Sequence, residues 1–205
     1  METQIPHTAR RSTVTIVASA LVAFALALGT LVTSAHSQGR SNHKEAVSNL
    51  NAYALYKAGD YDEARAIWEK LAKKGNTTAL VNLANLFQQG QGVTEDQKQA
   101  LEYVRKAAEL GDARAQHELG IAFEKGAVVE RNIESAALWL KKSAEQGYAD
   151  GQFAYGVMLA TSYGKGVDKA SATERTEALE WLAKAKANGN LEAADYIKVL
   201  TKPAG

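Results

Sequence analysis

An imidazole beside a carboxylate, His117-Glu118, is the pairing in this chain that most resembles an acid–base couple. General acid–base catalysis needs both groups to converge on one proton path. Adjacent residues on a helix point about 100° apart, so this pair does not make a dyad by itself. The other carboxylates, Glu63, Glu69, Glu102, Glu109, Glu134, Glu145 and Glu180, are interspersed with lysines and read as solvated helix faces. Beyond the N-terminal stretch the only histidines are His43 and His117, too few for a multi-histidine metal site. There is no cysteine, which removes disulfides, thiolate metal ligands and a nucleophilic thiol. No serine lies in a nucleophile elbow. Gly164-Lys165-Gly166 lacks the full phosphate-loop pattern, and no strand precedes it. The sequence therefore nominates no catalytic, cofactor-binding or metal-binding residue and implies no cofactor.

Composition narrows the classes further. The 205 residues carry a formal net charge of +1, without the basic excess that nucleic-acid binding requires. Two prolines suit a chain that is almost wholly helical. At the N-terminus Arg10-Arg11 precedes an apolar run from Val14 to Val32, and Ala35-His36-Ser37 fits a small-residue cleavage site. This pattern predicts an export signal over residues 1–37 and a periplasmic or secreted protein. The run nearly reaches the roughly 20 residues that span a bilayer, so an uncleaved inner-membrane anchor is the alternative. Residues 38–43 read as a flexible lead-in.

The elements that would position any site come from a repeat. Lys/Ala-rich segments end at Gly75, Gly111, Gly147 and Gly189, at steps of 36, 36 and 42 residues. A period of this size predicts stacked helical hairpins. Alanine stands eleven residues before each glycine (Ala64, Ala100, Ala136, Ala178). Large side chains stand eight before (Ile67, Tyr103, Trp139, Trp181) and seven before (Trp68, Val104, Leu140, Leu182). Those spacings share one helical face and define helix B of each pair. Helix A carries Leu80, Leu83 and Phe87, then Leu119 and Phe123, then Tyr155 and Leu159, with a small residue (Ala84, Gly120, Gly156) in register. Glycine inside a helix costs about 1 kcal/mol against alanine, so its recurrence predicts close backbone approach. The turns Gly90-Gln91-Gly92-Val93, Gly126-Ala127-Val128-Val129 and Gly164-Lys165-Gly166-Val167 match, with each valine expected to tuck into the core. The six extra residues of the last repeat predict a longer loop from about Tyr163 to Thr173. A final helix over 190–200, with Leu191, Ala194, Tyr196, Ile197 and Leu200 as its apolar face, is expected to cap the array.

This pattern resembles the Sel-one-like repeat family, relatives of the tetratricopeptide repeats. The resemblance rests on Ala-x-x-x-Leu-Ala/Gly-x-x-Phe in helix A, Gly-x-Gly-Val in the turn and Ala-x-x-Tyr/Trp-(x)3-Ala before the closing glycine. Residues 44–75 look more like a tetratricopeptide unit, followed by Sel-one-like repeats over 76–111, 112–147 and 148–189, with 201–205 as a tail. Asn51 stands where such units have an apolar residue. The resemblance implies an all-α, right-handed α-solenoid of about four antiparallel helix pairs plus a C-terminal capping helix. It also implies a non-catalytic adaptor, as in many exported bacterial members. In related superhelical repeats the A helices line an inner groove. Carried over, that geometry nominates Asn49, Tyr53 and Tyr56; Thr78, Val81, Asn85 and Gln88; Arg114, His117, Ile121 and Glu124; and Asp150, Phe153 and Val157. The expected partner is a protein or peptide, with no nucleic acid, and with membrane contact only if the N-terminal segment is retained. A β-lactam-binding envelope enzyme, as in cysteine-rich relatives, is disfavoured because that branch depends on disulfides.

Overall fold

The computed structural model describes residues 41–202. The predicted export segment, residues 38–40 of the lead-in and residues 203–205 of the tail lie outside it. The chain divides into two units, residues 1–48 and 49–205. Of the first unit only 41–48 are described, and they are helical, with Ser48 Oγ donating to the Lys44 carbonyl at 2.9 Å. The second unit contains the repeats.

The described helices are α1 (41–58), α2 (Tyr61–Ala72), α3 (Thr77–Gln89), α4 (Gln97–Glu109), α5 (Ala113–Lys125), α6 (Ile133–Glu145), α7 (Ala149–Ala160), α8 (Ala172–Ala187) and α9 (Ala193–Thr201). There is no strand among the described residues. Each helix from α3 onward packs on its predecessor, most extensively within the pairs α3/α4, α5/α6 and α7/α8. The result is an α-solenoid of antiparallel pairs. Residues 41–43, expected to lead in flexibly, are instead the first turn of α1.

Local chemistry fixes where the helices begin. Asn76, Asp112 and Asn132 each accept a hydrogen bond from the backbone N–H three residues on, and Asp96 accepts two. Such caps satisfy amide donors that the helix itself leaves open. Ser171 and Glu174 form a reciprocal capping box at the start of α8. The closing glycines Gly75, Gly111, Gly147 and Gly189 all have φ between 81° and 96°, which a side chain with Cβ rarely adopts.

The core follows the repeat. Ala64, Ala100, Ala136 and Ala178 are buried, as are Trp68, Val104, Leu140 and Leu182. Ile67, Tyr103, Trp139 and Trp181 are half-buried along the B helices. The lysine three residues after each of the last three aromatics lies over its ring, at 5.6 Å for Lys106 and 4.1 Å for Lys142 and Lys184. The small helix-A residue and its helix-B partner trade volume. A Cβ on Gly120 would come within 2.7 Å of Leu140 Cγ, and one on Gly156 within 3.0 Å of Leu182 Cγ. Where α3 has Ala84, α4 offers the shorter Val104, and both lie in one buried cluster. The recurring small residue is therefore a steric requirement of the A–B contact.

Three expectations change. Val93 packs against the core, but Val167 is 46% exposed, because the inserted loop carries it outward; Arg175 grips that loop through the carbonyls of Val167 and Ala170. The capping helix begins at Ala193, where Asn190 Oδ1 accepts from the Ala193 N–H, and Leu191 is left 89% exposed in the preceding turn. Asn51 is exposed, so the polar residue in the first repeat costs no buried hydrogen bond.

Candidate functional site

The A helices do not close evenly on each other. α5 and α7 are in direct contact. Beside the buried contact of α3 with α5 there is a cavity of about 380 Å³. Asn85 and Gln88 of α3 form one side, and His117, Ile121 and Lys125 of α5 the other. Ala100, Leu101 and Val104 of α4 form the floor, and Ala127 and Val128 of the following turn close one end. The floor is apolar and the rim is amide, imidazole and cation, an arrangement suited to an apolar side chain flanked by polar backbone.

Arg114 and Glu118 sit at the rim, held together by Arg114 Nε donating to Glu118 Oε1 at 2.8 Å. This bond to Glu118 raises the Arg114 pKa. The His117 ring lies 5.6 Å from that of Tyr148, tilted at 57°. Burial lowers the His117 pKa, more than the nearby carboxylates of Asp150 and Glu118 raise it. Burial thus biases the imidazole toward its neutral form. Tyr148 occupies the helix-start position filled by Asn76 and Asp112 in earlier repeats, and makes no side-chain cap bond. Burial, followed by the nearby Asp150 carboxylate, raises the pKa of its phenol.

Of the residues nominated from sequence, Asn85, Gln88, Arg114, His117 and Ile121 converge on this cavity. Val81 does not: it is 8% exposed and packs within the cluster of Leu80, Val104, Ala108 and Leu119, so it is a core residue and not a groove residue. Asn49 is half-buried and donates through Nδ2 to Asn76 Oδ1 at 2.9 Å, bracing the cap of α3. Tyr53 is 47% exposed and stacks on Tyr56 at 5.9 Å; Tyr56 continues inward to Tyr61 and Trp68. Phe153 is half-buried, edge to face with Tyr196 of α9 at 6.0 Å, and Asp150 accepts from Asn190 at 2.9 Å. The capping helix and the turn before it thus engage both α7 residues. Val157 is also half-buried, Thr78 is exposed and Glu124 is half-buried.

Sequence reasoning overlooked Gln97 and Leu101, which line the cavity from α4. Their signal was the first turn of a B helix, one face away from the Ala100–Val104 stripe. Among the described residues no three His, Cys, Asp or Glu groups cluster as metal ligands, and no helix is long and apolar enough to cross a membrane.

Stacked hairpins with a groove between repeats define a protein of the helical-repeat scaffold class. The Sel1 repeat model matches residues 52–76, 77–112, 113–148 and 149–190, and the chain belongs to the Sel1 repeat family. Among solved structures it is similar to a Sel1 repeat protein from Oxalobacter formigenes, at 30% identity and a TM-score of 0.64 over 73% of this chain and 59% of that one. It is also similar to c5321, a protective antigen present in uropathogenic Escherichia coli strains and displaying an SLR fold, at 25% identity and a TM-score of 0.65 over 76% of this chain and 33% of that one. The chain thus spans less than two thirds of the length of either. Nothing among curated proteins matches it.

Proposed function

We propose that this protein is an exported, non-catalytic scaffold that holds a segment of a protein partner in the groove between its A helices. The observation that carries this reading is the convergence of Asn85, Gln88, His117 and Ile121 over an apolar floor between α3 and α5. Amides on one wall suit the N–H and C=O groups of an extended chain. The apolar floor suits one of its side chains. A His117 biased toward its neutral form and a paired Arg114–Glu118 supply recognition without an activated nucleophile or a poised acid–base couple. Export rests on the N-terminal pattern and is tested separately: a mature N-terminus near Gln38 by mass spectrometry means release, and retention of Met1 or Glu2 means an anchor.

The groove is tested by in-cell photocrosslinking from position 121, with position 141 on the outer face of α6 as control. A discrete crosslinked product from 121, absent from 141 and lost in Asn85→Ala/Gln88→Ala, is expected. Identical products from both positions would remove the groove from consideration.

A further inference from the structure

A second cavity, of about 650 Å³, lies where the start of α6 meets the inserted loop of the last repeat. It shares no lining residue with the groove beside α3 and α5. Ile133, Ala137 and Tyr163 make one part of its wall apolar, while Arg131, Lys165 and Glu134 make the rest charged. Neither cation is neutralised within the fold: Arg131 and Lys165 make no ion pair among the described residues. Glu174, close enough to Lys165 to feel its charge, already accepts from the Ser171 N–H and the Ser162 hydroxyl.

Both cations are particular to this place in the array. In the matched turns, Gln91 and Ala127 stand where Lys165 stands here. The residue before the cap of the B helix, Arg131 at α6, is Glu95 one repeat earlier and Ala170 one repeat later. Both are also held in position. Arg131 Nε donates to the Glu124 carbonyl at 3.0 Å, and a Cβ on Gly164 would lie 3.8 Å from its Nη2, so the guanidinium reaches from the end of α5 to the inserted loop. The loop is tied to itself and to α7: the Tyr163 N–H donates to the Met158 carbonyl at 2.8 Å, the Gly166 N–H to the Thr161 carbonyl at 2.9 Å and the Gly164 N–H to the Thr161 hydroxyl at 3.2 Å. These bonds hold Ser162 and Tyr163 at φ of 45° and 57°, in the left-handed region that non-glycine residues seldom occupy.

We propose that this cavity binds an apolar residue bearing a free α-carboxylate, either a free amino acid or the last residue of a chain. The carboxylate meets Arg131 and Lys165, the side chain lies against Ile133, Ala137 and Tyr163, and the nitrogen on the same Cα donates to Glu134. Three groups on one carbon thus match the three kinds of wall. An inorganic anion leaves the apolar wall unused, and an internal residue of a chain has no α-carboxylate for the cations. Hydrogen bonds between ionised partners are the strong ones, and a guanidinium already braced loses little freedom in making them. The site is independent of the groove: it needs neither α3 nor a partner held there.

The test is a titration of the isotope-labelled full chain with leucine, N-acetylleucine, N-acetylleucinamide, glycine and acetate, following the backbone amide resonances of residues 133–137 and 163–166. A ligand of this size should bind weakly, with a Kd of about 1 mM. Saturable shifts with leucine or N-acetylleucine are expected. Binding should be about tenfold weaker for N-acetylleucinamide, which lacks the charge, and about tenfold weaker for glycine, which lacks the side chain. Binding of leucine alone assigns the site to a free amino acid; binding of N-acetylleucine, with or without leucine, assigns it to a chain terminus. Lys165→Glu, at an exposed loop position, should weaken either ligand about tenfold. Arg131→Gln should do the same, but Arg131 also braces Glu124, so Lys165→Glu is the deciding variant. Equal affinity for leucine, glycine and acetate means an adventitious ion only and overturns the proposal. Equal affinity for N-acetylleucinamide, binding that survives Lys165→Glu, or no saturable shift with any ligand overturns it too. None of these outcomes alters the crosslink expected from position 121, so the groove stands or falls separately.

Discussion

The first joint between full repeats is oily and the later two are polar, although they occupy the same position in the period. In the later joints, Gln116 and Gln152 are buried, and each donates through Nε2 to a carbonyl at the end of the preceding B helix, Ala108 and Ala144, at 3.2 Å. Each then accepts from an amide at the end of the B helix of its own repeat: Gln146 at 2.7 Å and Asn188 at 2.9 Å. Those amides also reach the carbonyls of Gly111 and Gly147. At the equivalent positions of the first joint stand Leu80 and Leu110, side by side with Ala72. Leu80 is buried and Leu110 is 56% exposed. A hydrogen-bonded pair accepts only one geometry, whereas two leucines accept several. The polar joints therefore fix the angle between repeats, while the oily one supplies adhesion with less directional constraint.

Exchanging the chemistries tests this. Leu80→Gln buries an amide among apolar groups and removes a packed leucine, at an expected cost of about 3 kcal/mol by urea unfolding. Adding Leu110→Gln should recover about 1 kcal/mol by giving that amide a partner. In the opposite direction, Gln116→Leu removes two hydrogen bonds, from the Gln146 amide and to the Ala108 carbonyl, costing about 2 kcal/mol, and Gln146→Leu should restore part of it. If either second substitution deepens the loss, the two positions do not act as a pair. Smaller again is Gly151→Ala. A Cβ there would collide with the Ser143 side chain, whose hydroxyl donates to the Ala113 carbonyl at 2.6 Å. Overpacking costs about 1–2 kcal/mol. Ser143→Ala recreates the Ala107–Ala115 combination of the joint before it and should return part of that.

The smallest effect concerns pH. Burial lowers the His117 pKa in the fold below its unfolded value. The unfolded chain therefore takes up the proton first. The stabilisation is complete above the ordinary imidazole pKa and falls away as pH drops through it toward the folded value. His117→Gln should flatten the stability profile in that acidic window. An unchanged slope assigns the acid sensitivity to other groups.

The spacing of Ala136, Trp139 and Leu140 reveals helix B, and Gly120 in register with Gly156 reveals the close approach, because both depend on contacts inside a period. The joint chemistry was harder to see. Gln116 looks like any helix-surface glutamine until its partner Gln146, 30 residues away, is placed beside it. Val81 is hidden for the same reason: besides its partner α4, it is buried by Ala115 and Leu119 of α5, beyond its own pair. The half of the cavity that was legible, Asn85, Gln88, His117 and Ile121, came from helix-A register; the α4 floor required knowing how α3 and α5 sit over it. At the capping end, no periodicity in α7 foretold that Phe153 would be occupied by Tyr196.

The three indoles are distributed one to a hairpin: Trp68 in α2, Trp139 in α6 and Trp181 in α8, with Tyr103 taking the place in α4. Trp68 is sealed at 1% exposure, whereas the other two lie beneath lysine ammonium groups at 4.1 Å. A linear stack of this kind frays from its ends. Each indole thus serves as a built-in fluorophore for its own stretch of the row, and single-tryptophan variants would report which end melts first.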